Sequence, residues 1–437
     1  MKHRMLIILL IFLILLSSCA KNHDVQQSEY LTENNTNPDP LPVMNLSFYT
    51  PTHNGSLLTS PLSSGDSNVL YGILPSPGGY ADILVYDCES RVIDYLGGES
   101  KKPASIVNSI EGGVSLINVN DYLVTFKMGT HPDYLSKEGT SSIITIRQID
   151  AAMQSTITLP MYDEIQIDTR IATDGNNLYF ILLHFDEETT LLESQQLCKL
   201  DIEEAKIIPL MTLSDNGVFT LNGCCENGII LDCLTVNPNY INASKIDQLN
   251  NIDHTLSVYS PIDNVINEFY KYNNQDGIVV FDDLGLFFKH KGDSVLYSIS
   301  SENGTLSPFY DLSAINDQYE TCFVRNITWD HHIIVGFTDS LGINEYYGLD
   351  IITLSPSSLS SFIDSETNTL LSLVSESKDY FLIHTGDLDY YETYLGLDGK
   401  EWIASRLEPK YSLIPKQDFW NNIPNLIDFL DYVHLAH

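Results

Sequence analysis

Positive charge is scarce in this chain: 58 Asp and Glu face 22 Lys and Arg, a formal net charge of −36. A surface of that sign repels phosphate backbones and anionic headgroups, which excludes nucleic acid as a partner and adhesion of the folded body to acidic membrane. Long apolar runs are scarce too. Met5–Leu16 is uninterrupted but holds only twelve residues, about 18 Å of helix against a bilayer core of about 30 Å, so it does not span. Catalytic signatures are missing: no G-x-S-x-G and no Gly-rich phosphate loop with its Lys occur, so neither the hydrolase elbow nor the nucleotide cradle is encoded. The cysteines follow no zinc spacing.

What is present begins with an address. Lys2 and Arg4 precede the apolar run, which passes through Ser17 and Ser18 into Cys19. That is the form of a secretory signal. Leu16-Ser17-Ser18-Cys19 resembles the bacterial lipobox, which implies a signal peptide over 1–18, cleavage before Cys19 and lipid (palmitate among the acyl chains) on that Cys. Acylated chains of this kind suffice for a membrane anchor, placing the protein on the extracytoplasmic face of a bacterial cell membrane. Residues 19–56 continue with Asn, Ser, Pro and Thr, a composition too polar to offset chain entropy, and read as a tether. Within it NLSFYT (45–50) is apolar enough to pair with the body.

Six further cysteines, Cys88, Cys198, Cys224, Cys225, Cys233 and Cys322, are open to two readings. An even number on an exported chain suits disulfides. Yet Cys88, Cys198 and Cys233 lie in apolar runs, where Cys acts as a small core residue.

The body, 57–415, repeats one unit. Strongly apolar second strands start at Val69, Tyr122, Leu178, Ile229, Leu286, Ile333 and Tyr380, spaced 47 to 57 residues apart. Each follows a turn rich in Asp, Asn or Gly (SGDSN, NVND, TDGNN, CENG, FDDLG, WDHH, ESKD), residues suited to tight hairpins. Third and fourth strands recur as pairs, LCKLDI/KIIPL around Glu203-Glu204-Ala205 among them, and ETYLGLDG/KEWIASRL as the last. Such a period is that of four-stranded propeller blades. The expected fold is all-β: a single β-propeller of seven blades, closed with help from NLSFYT. Residues 416–437 carry Ile423, Leu426, Ile427, Leu430 and Val433 at helical spacing, with Asn422 as cap and Pro424 in the first turn, and predict a C-terminal helix.

On these features the chain resembles exported bacterial lipoproteins carrying TolB-like or related propellers. The resemblance is architectural and covers most of the mature chain. No WD or YWTD stretch and no Ser-x-Asp-x-Gly-x-Thr-Trp box occurs, and Ser76-Pro77-Gly78-Gly79 only echoes the family's SPDG, so no active residue is carried over.

Loops between second and third strands are long and unlike one another, the usual mark of a binding face. Candidate contacts on them are Tyr80, His131, Asp133, Tyr134, Asp186, Tyr240, Asp387, Asp389 and Tyr390, aromatic and acidic groups presented at low entropic cost. Asp387, Asp389 and Glu392 could form a Ca²⁺ site or a solvated acidic loop; no other cofactor is expected. Asp330-His331-His332 looks metal-like, but neighbouring residues of a strand point to opposite faces, which favours a turn. The sequence therefore predicts a non-catalytic surface lipoprotein binding a peptide, glycan or partner protein. The alternative is an extracellular polysaccharide hydrolase or lyase with carboxylates, or a carboxylate with His or Tyr, at the propeller axis.

Overall fold

The computed structural model describes residues 47–49, 68–75, 81–89, 92–95, 114–119, 121–127, 129, 139–148, 154–165, 171–174, 177–214, 216–225, 228–282, 284–395 and 401–428. They are mostly strand, laid down as successive antiparallel meanders. The first is Ser47–Tyr49 (β1), Val69–Pro75 (β2), Ala81–Asp87 (β3) and Val92–Tyr95 (β4). Next come Val114–Val119 (β5), Tyr122–Lys127 (β6), Ile143–Gln148 (β7) and Gln154–Thr158 (β8). In the third, Asp163–Ile165 (β9) and Ala172–Thr173 (β10) share the place of the first strand, both pairing with Leu178–Phe185 (β11), which leads to Leu192–Asp201 (β12) and Lys206–Leu213 (β13). The fourth is Val218–Cys225 (β14), Gly228–Val236 (β15), Ile252–Ser260 (β16) and Val265–Asn273 (β17).

Two further meanders touch through one parallel pair, Phe281 with Ile327. One is Gly277–Asp282 (β18), Gly285–His290 (β19), Val295–Ile299 (β20) and Leu306–Asp311 (β21); the other is Thr321–Trp329 (β22), His332–Thr338 (β23), Asn344–Asp350 (β24) and Pro356–Ser358 (β25). A small hairpin, Ile363–Asp364 (β26) with Thr369–Leu370 (β27), precedes the last meander of Ser372–Glu376 (β28), Tyr380–Leu395 (β29), Glu401–Pro415 (β30) and Ile427–Asp428 (β31).

The core is a series of layers between consecutive meanders. Strand alternation explains it. In β11, Leu178, Phe180 and Leu182 pack with Val124, Phe126 and Ile144 of the second meander, while Tyr179, Ile181 and Leu183 pack with Phe219, Leu221 and Ile229 of the fourth. In β15, Ile229 and Leu231 face back and Ile230 faces forward onto Val279 and Phe288. β23 repeats the device, with Ile333, Val335 and Phe337 on one side and Ile334 on the other. A strand buried on both faces must be apolar at every position, so the second strands read as unbroken hydrophobic runs.

Several turns between third and fourth strands, and the turn of the β26–β27 hairpin, share one design. Asp350 accepts from the backbone N–H of Ile352 and Thr353, and Asp364 does the same for Glu366 and Thr367. Asp201 accepts from Glu204 N. The turn then closes on a left-handed residue: Ala205, Asn264, Leu354 and Asn368 have φ of 49°, 54°, 57° and 53°. This is the acidic turn that returns along the chain. Pro209, which has no N–H to donate, sits where the β12–β13 register slips, a tolerated place for proline on an outer strand.

Three expectations change. ETYLGLDG/KEWIASRL is not a third and fourth strand but the far end of the long β29–β30 hairpin, second and third of its meander. The fourth is β31, in the segment expected to be helical. The helix lies earlier, at Lys416–Trp420, because Asn422 adopts φ 60° and Pro424 offers no N–H, and the chain then pairs Ile427 with Leu413. Finally, β1 within NLSFYT pairs with β2, so the first meander starts before residue 57.

Candidate functional site

Connections between second and third strands, and from each fourth strand to the next first strand, share one end of a meander. At that end of the third meander β9 begins. Asp163 stands directly opposite His184, near the end of β11. Opposed side chains on paired strands lie close, and here His184 Nδ1 is 2.7 Å from Asp163 Oδ1. A carboxylate only accepts, so Nδ1 is the donor in this bond. The pair remains open to solvent, with His184 at 30% and Asp163 at 19% side-chain exposure. Backbone bonds from Phe185 N to Tyr162 O (2.9 Å) and from Asp163 N to Pro160 O (3.0 Å) fix the strand end that carries it. Glu164, next along β9, points to the other face, where burial pushes its carboxyl up to about 7. A base with an oriented imidazole and a carboxylic acid titrating near neutrality thus flank one strand end.

Two other Asp–His pairs belong to the layers. His254 Nδ1 is 2.7 Å from Asp232, which is only 5% exposed, and its ring stacks on Tyr272 at 4.5 Å. Asp282, 2% exposed, takes Thr328 Oγ1 at 2.5 Å and His331 Nδ1 at 3.2 Å, tying the fifth meander to the sixth. His332 turns instead to the carbonyl of Asp330 and stacks on Trp420, centroids 3.9 Å apart. Asp330-His331 is therefore the turn into β23, with both residues left-handed and His332 the first of the strand. Among the described residues no group of three or more His, Cys, Asp and Glu is placed to hold a metal ion. No helix among them is long and apolar enough to cross a membrane.

Of the loop residues singled out from the sequence, the structure describes some and leaves others outside. Cys19, Tyr80, His131, Asp133 and Tyr134 lie outside the described residues. Asp186 is a turn cap: its carboxylate accepts from Thr189 N and Oγ1, both at 2.7 Å, and from Glu188 N, and these bonds hold its pKa below the usual range. Tyr240 ends a short 3₁₀ turn, Pro238–Tyr240, in a loop that also holds a helix, Lys245–Leu249, capped by Ser244. That long loop is pinned, with Asn237 and Asn273 both donating to Asp253. Asp387, Asp389 and Tyr390 are not in a loop but in β29, paired in register with Pro409, Leu407 and Arg406, because the hairpin continues well past β28. The side chains of these three, and of Glu392, lie outside the described part. Asp163, Glu164 and His184 were not singled out from the sequence, since only strand register brings 163 opposite 184.

The six cysteines after Cys19 are not joined in disulfides. Burial raises the pKa of Cys198 and Cys233 to about 12 and that of Cys322 to about 11, so they are core residues without thiolate character.

No protein-family model matches the chain, and no curated protein matches it. In structure it is similar to a puromycin-hydrolyzing peptidase of Mycobacterium tuberculosis, with 9% identity and a TM-score of 0.48, over 88% of this chain and 53% of that one. A structure from a study of two prolyl endopeptidases matches with 10% identity and a TM-score of 0.45, over 83% and 55%. An oligogalacturonate lyase in complex with manganese matches with 10% identity and a TM-score of 0.40, over 86% and 98%. The chain spans little more than half the length of the two peptidases. At these identities the likeness concerns fold and assigns no residue a role. The expectation of a non-catalytic binding protein is corrected to this extent: the similar structures are those of enzymes, peptidases and a lyase.

Proposed function

We propose that the chain is a lipid-anchored extracytoplasmic hydrolase of uncharged polysaccharide, its meanders closed into a seven-bladed propeller and its lipid carried on Cys19. The ring is supported by contacts between the two ends: β1 lies against β28, and Cys88 Sγ meets Ser377 Oγ at 3.7 Å. In such a ring the first strands line the axis, so Asp163 and Glu164 on β9 stand at its mouth.

The observation that carries the catalytic reading is the 2.7 Å contact between Asp163 and His184 at that strand end. His184 Nε2 takes a proton from water as the water oxygen bonds to the glycosidic carbon. Asp163 holds the imidazole and balances the imidazolium that forms. The C–O bond to the leaving sugar breaks, its oxygen takes a proton from solvent water, and the imidazolium returns its own proton to solvent. A lyase acting on uronates fits less well, because with 22 Lys and Arg against 58 acids the chain repels a polyanion.

The test is turnover. The mature chain is incubated with neutral polysaccharides and new reducing ends are counted. His184→Ala is expected to lower kcat by about 10²- to 10⁴-fold, with Asp163→Asn behind it. Absence of product from every neutral polysaccharide, or an unimpaired His184→Ala enzyme, would sink the reading. Cys19→Ser should release the chain from the membrane fraction.

A further inference from the structure

A cleft of about 650 Å³ opens where the fifth and sixth meanders meet, between the connection after β21 and the turn joining β23 to β24. We propose that this cleft is a binding subsite for an uncharged sugar unit. It goes beyond the hydrolase reading in placing substrate on residues remote from His184, and rests on that reading only for calling the sugar a substrate.

Its size suits a small-molecule site, but its lining is mostly hydrogen-bonding rather than apolar. A ligand entering it must bring many polar groups of its own, because a buried polar atom left unpaired is costly. Tyr319 and Tyr347 form one side. Both rings pack on Phe337, with centroids 4.9 Å and 5.7 Å away, so both are held as rigid faces. Fixed aromatic faces offer a flat apolar surface while their hydroxyls bond.

Acceptors are set in advance. Glu345 Oε2 is held by Asn316 Nδ2 at 3.0 Å and by Tyr347 OH at 3.2 Å, and Asp339 accepts from the N–H of Leu341 and Ile343. Carboxylates so anchored lose little freedom when a sugar hydroxyl donates to them. No Lys, Arg or His lines the cleft, so a uronate would meet carboxylates without a counter-charge, and its binding is opposed. The turn bearing Ile343 is itself tied down, since Asn368 Nδ2 donates to Gly342 O and Asn344 Nδ2 to Asn368 O. The cleft is therefore preformed. Ile343, half exposed at its edge, can be enlarged without disturbing the core.

The experiment is calorimetric binding of neutral tetrasaccharides of glucose, galactose and mannose to the full mature chain carrying His184→Ala, so that nothing is turned over. Tetragalacturonate and a glucosamine tetramer serve as charged controls. At least one neutral probe is expected to bind, with Kd raised tenfold or more by Ile343→Trp, which fills the cleft, and by Tyr347→Phe, which removes one hydroxyl and keeps the ring. Failure of all neutral probes overturns the proposal. So does unchanged affinity in both cleft variants, or preference for either charged control by tenfold. A chain that cleaves neutral glycan with unaltered KM after Ile343→Trp keeps the hydrolase reading and loses the subsite; one that binds at the cleft without ever cleaving does the reverse.

Discussion

Asn68 and Asp379, 311 positions apart, hold each other by two hydrogen bonds: Asn68 Nδ2 donates to Asp379 Oδ2 at 2.8 Å, and Asp379 N donates to Asn68 Oδ1 at 2.9 Å. The same amide nitrogen donates to Glu89 Oε1 at 2.8 Å. One neutral amide thus sits between two carboxylates and joins the first meander to the last. Asn68→Ala should cost about 1–2 kcal/mol in urea unfolding. Asn68→Asp should cost more, because it removes the donor and sets a third acid against the other two. Equal stability of Asn68→Asp and the parent would show that the two ends do not meet there.

Backbone strain is stored in the turns. Thr190 and Leu354 have φ of 52° and 57°, a region costly for residues with a Cβ and most so for a β-branched one. Thr190→Gly and Leu354→Gly should each raise stability by about 0.5–1 kcal/mol, the strain relieved less the added freedom of the unfolded chain. Asn368→Ala, at the equivalent left-handed position of the β26–β27 turn, should lower it by a similar amount. Denaturant midpoints of the three variants decide the matter.

The carboxyl of Glu164 titrates near 7 in the folded protein against 4.5 ordinarily. Between those values the folded state keeps a proton that the unfolded chain releases, so stability falls as pH rises through this window and levels off above it. The loss is on the order of 3 kcal/mol. Glu164→Gln should flatten that slope and stabilise the chain at pH 8, which unfolding measured from pH 4 to pH 8 would record.

The short helix Lys416–Trp420 is held from several sides. Trp420 Nε1 donates to Asp330 Oδ2 at 3.1 Å, and Lys416 Nζ lies 2.9 Å from the buried Glu376. Gly348 lies under the indole: a Cβ there would fall 2.5 Å from Cζ3 of Trp420. Gly348→Ala should therefore cost about 1–3 kcal/mol, and Trp420→Leu in the same chain should recover part of it in a double-mutant cycle. Simple additivity would place the strain elsewhere.

The repeat was readable because its cause is local. A strand packed on both faces must be apolar throughout, and every apolar run starting at Val69, Tyr122, Leu178, Ile229, Leu286, Ile333 and Tyr380 is the second strand of its meander. The last hairpin misled because β29 and β30 are longer than their partners, and nothing in their residues says how far pairing extends. The terminal segment misled because Ile427 suits a helix face as well as a strand; the free edge of β30 decided it.

The site was less legible. Asp186 reads as an exposed loop acid, but its oxygens are taken up by the turn it caps. Asp163 and His184 are unremarkable residues 21 positions apart, and only the register of β9 on β11 makes them a pair. The sequence by itself determined the all-β repeat, its period and the chemistry of its turns, since these follow from alternation and backbone preference over a few residues. Tertiary structure alone decided which acid meets which histidine and where a cleft opens, because both depend on register and on the packing of one meander against the next.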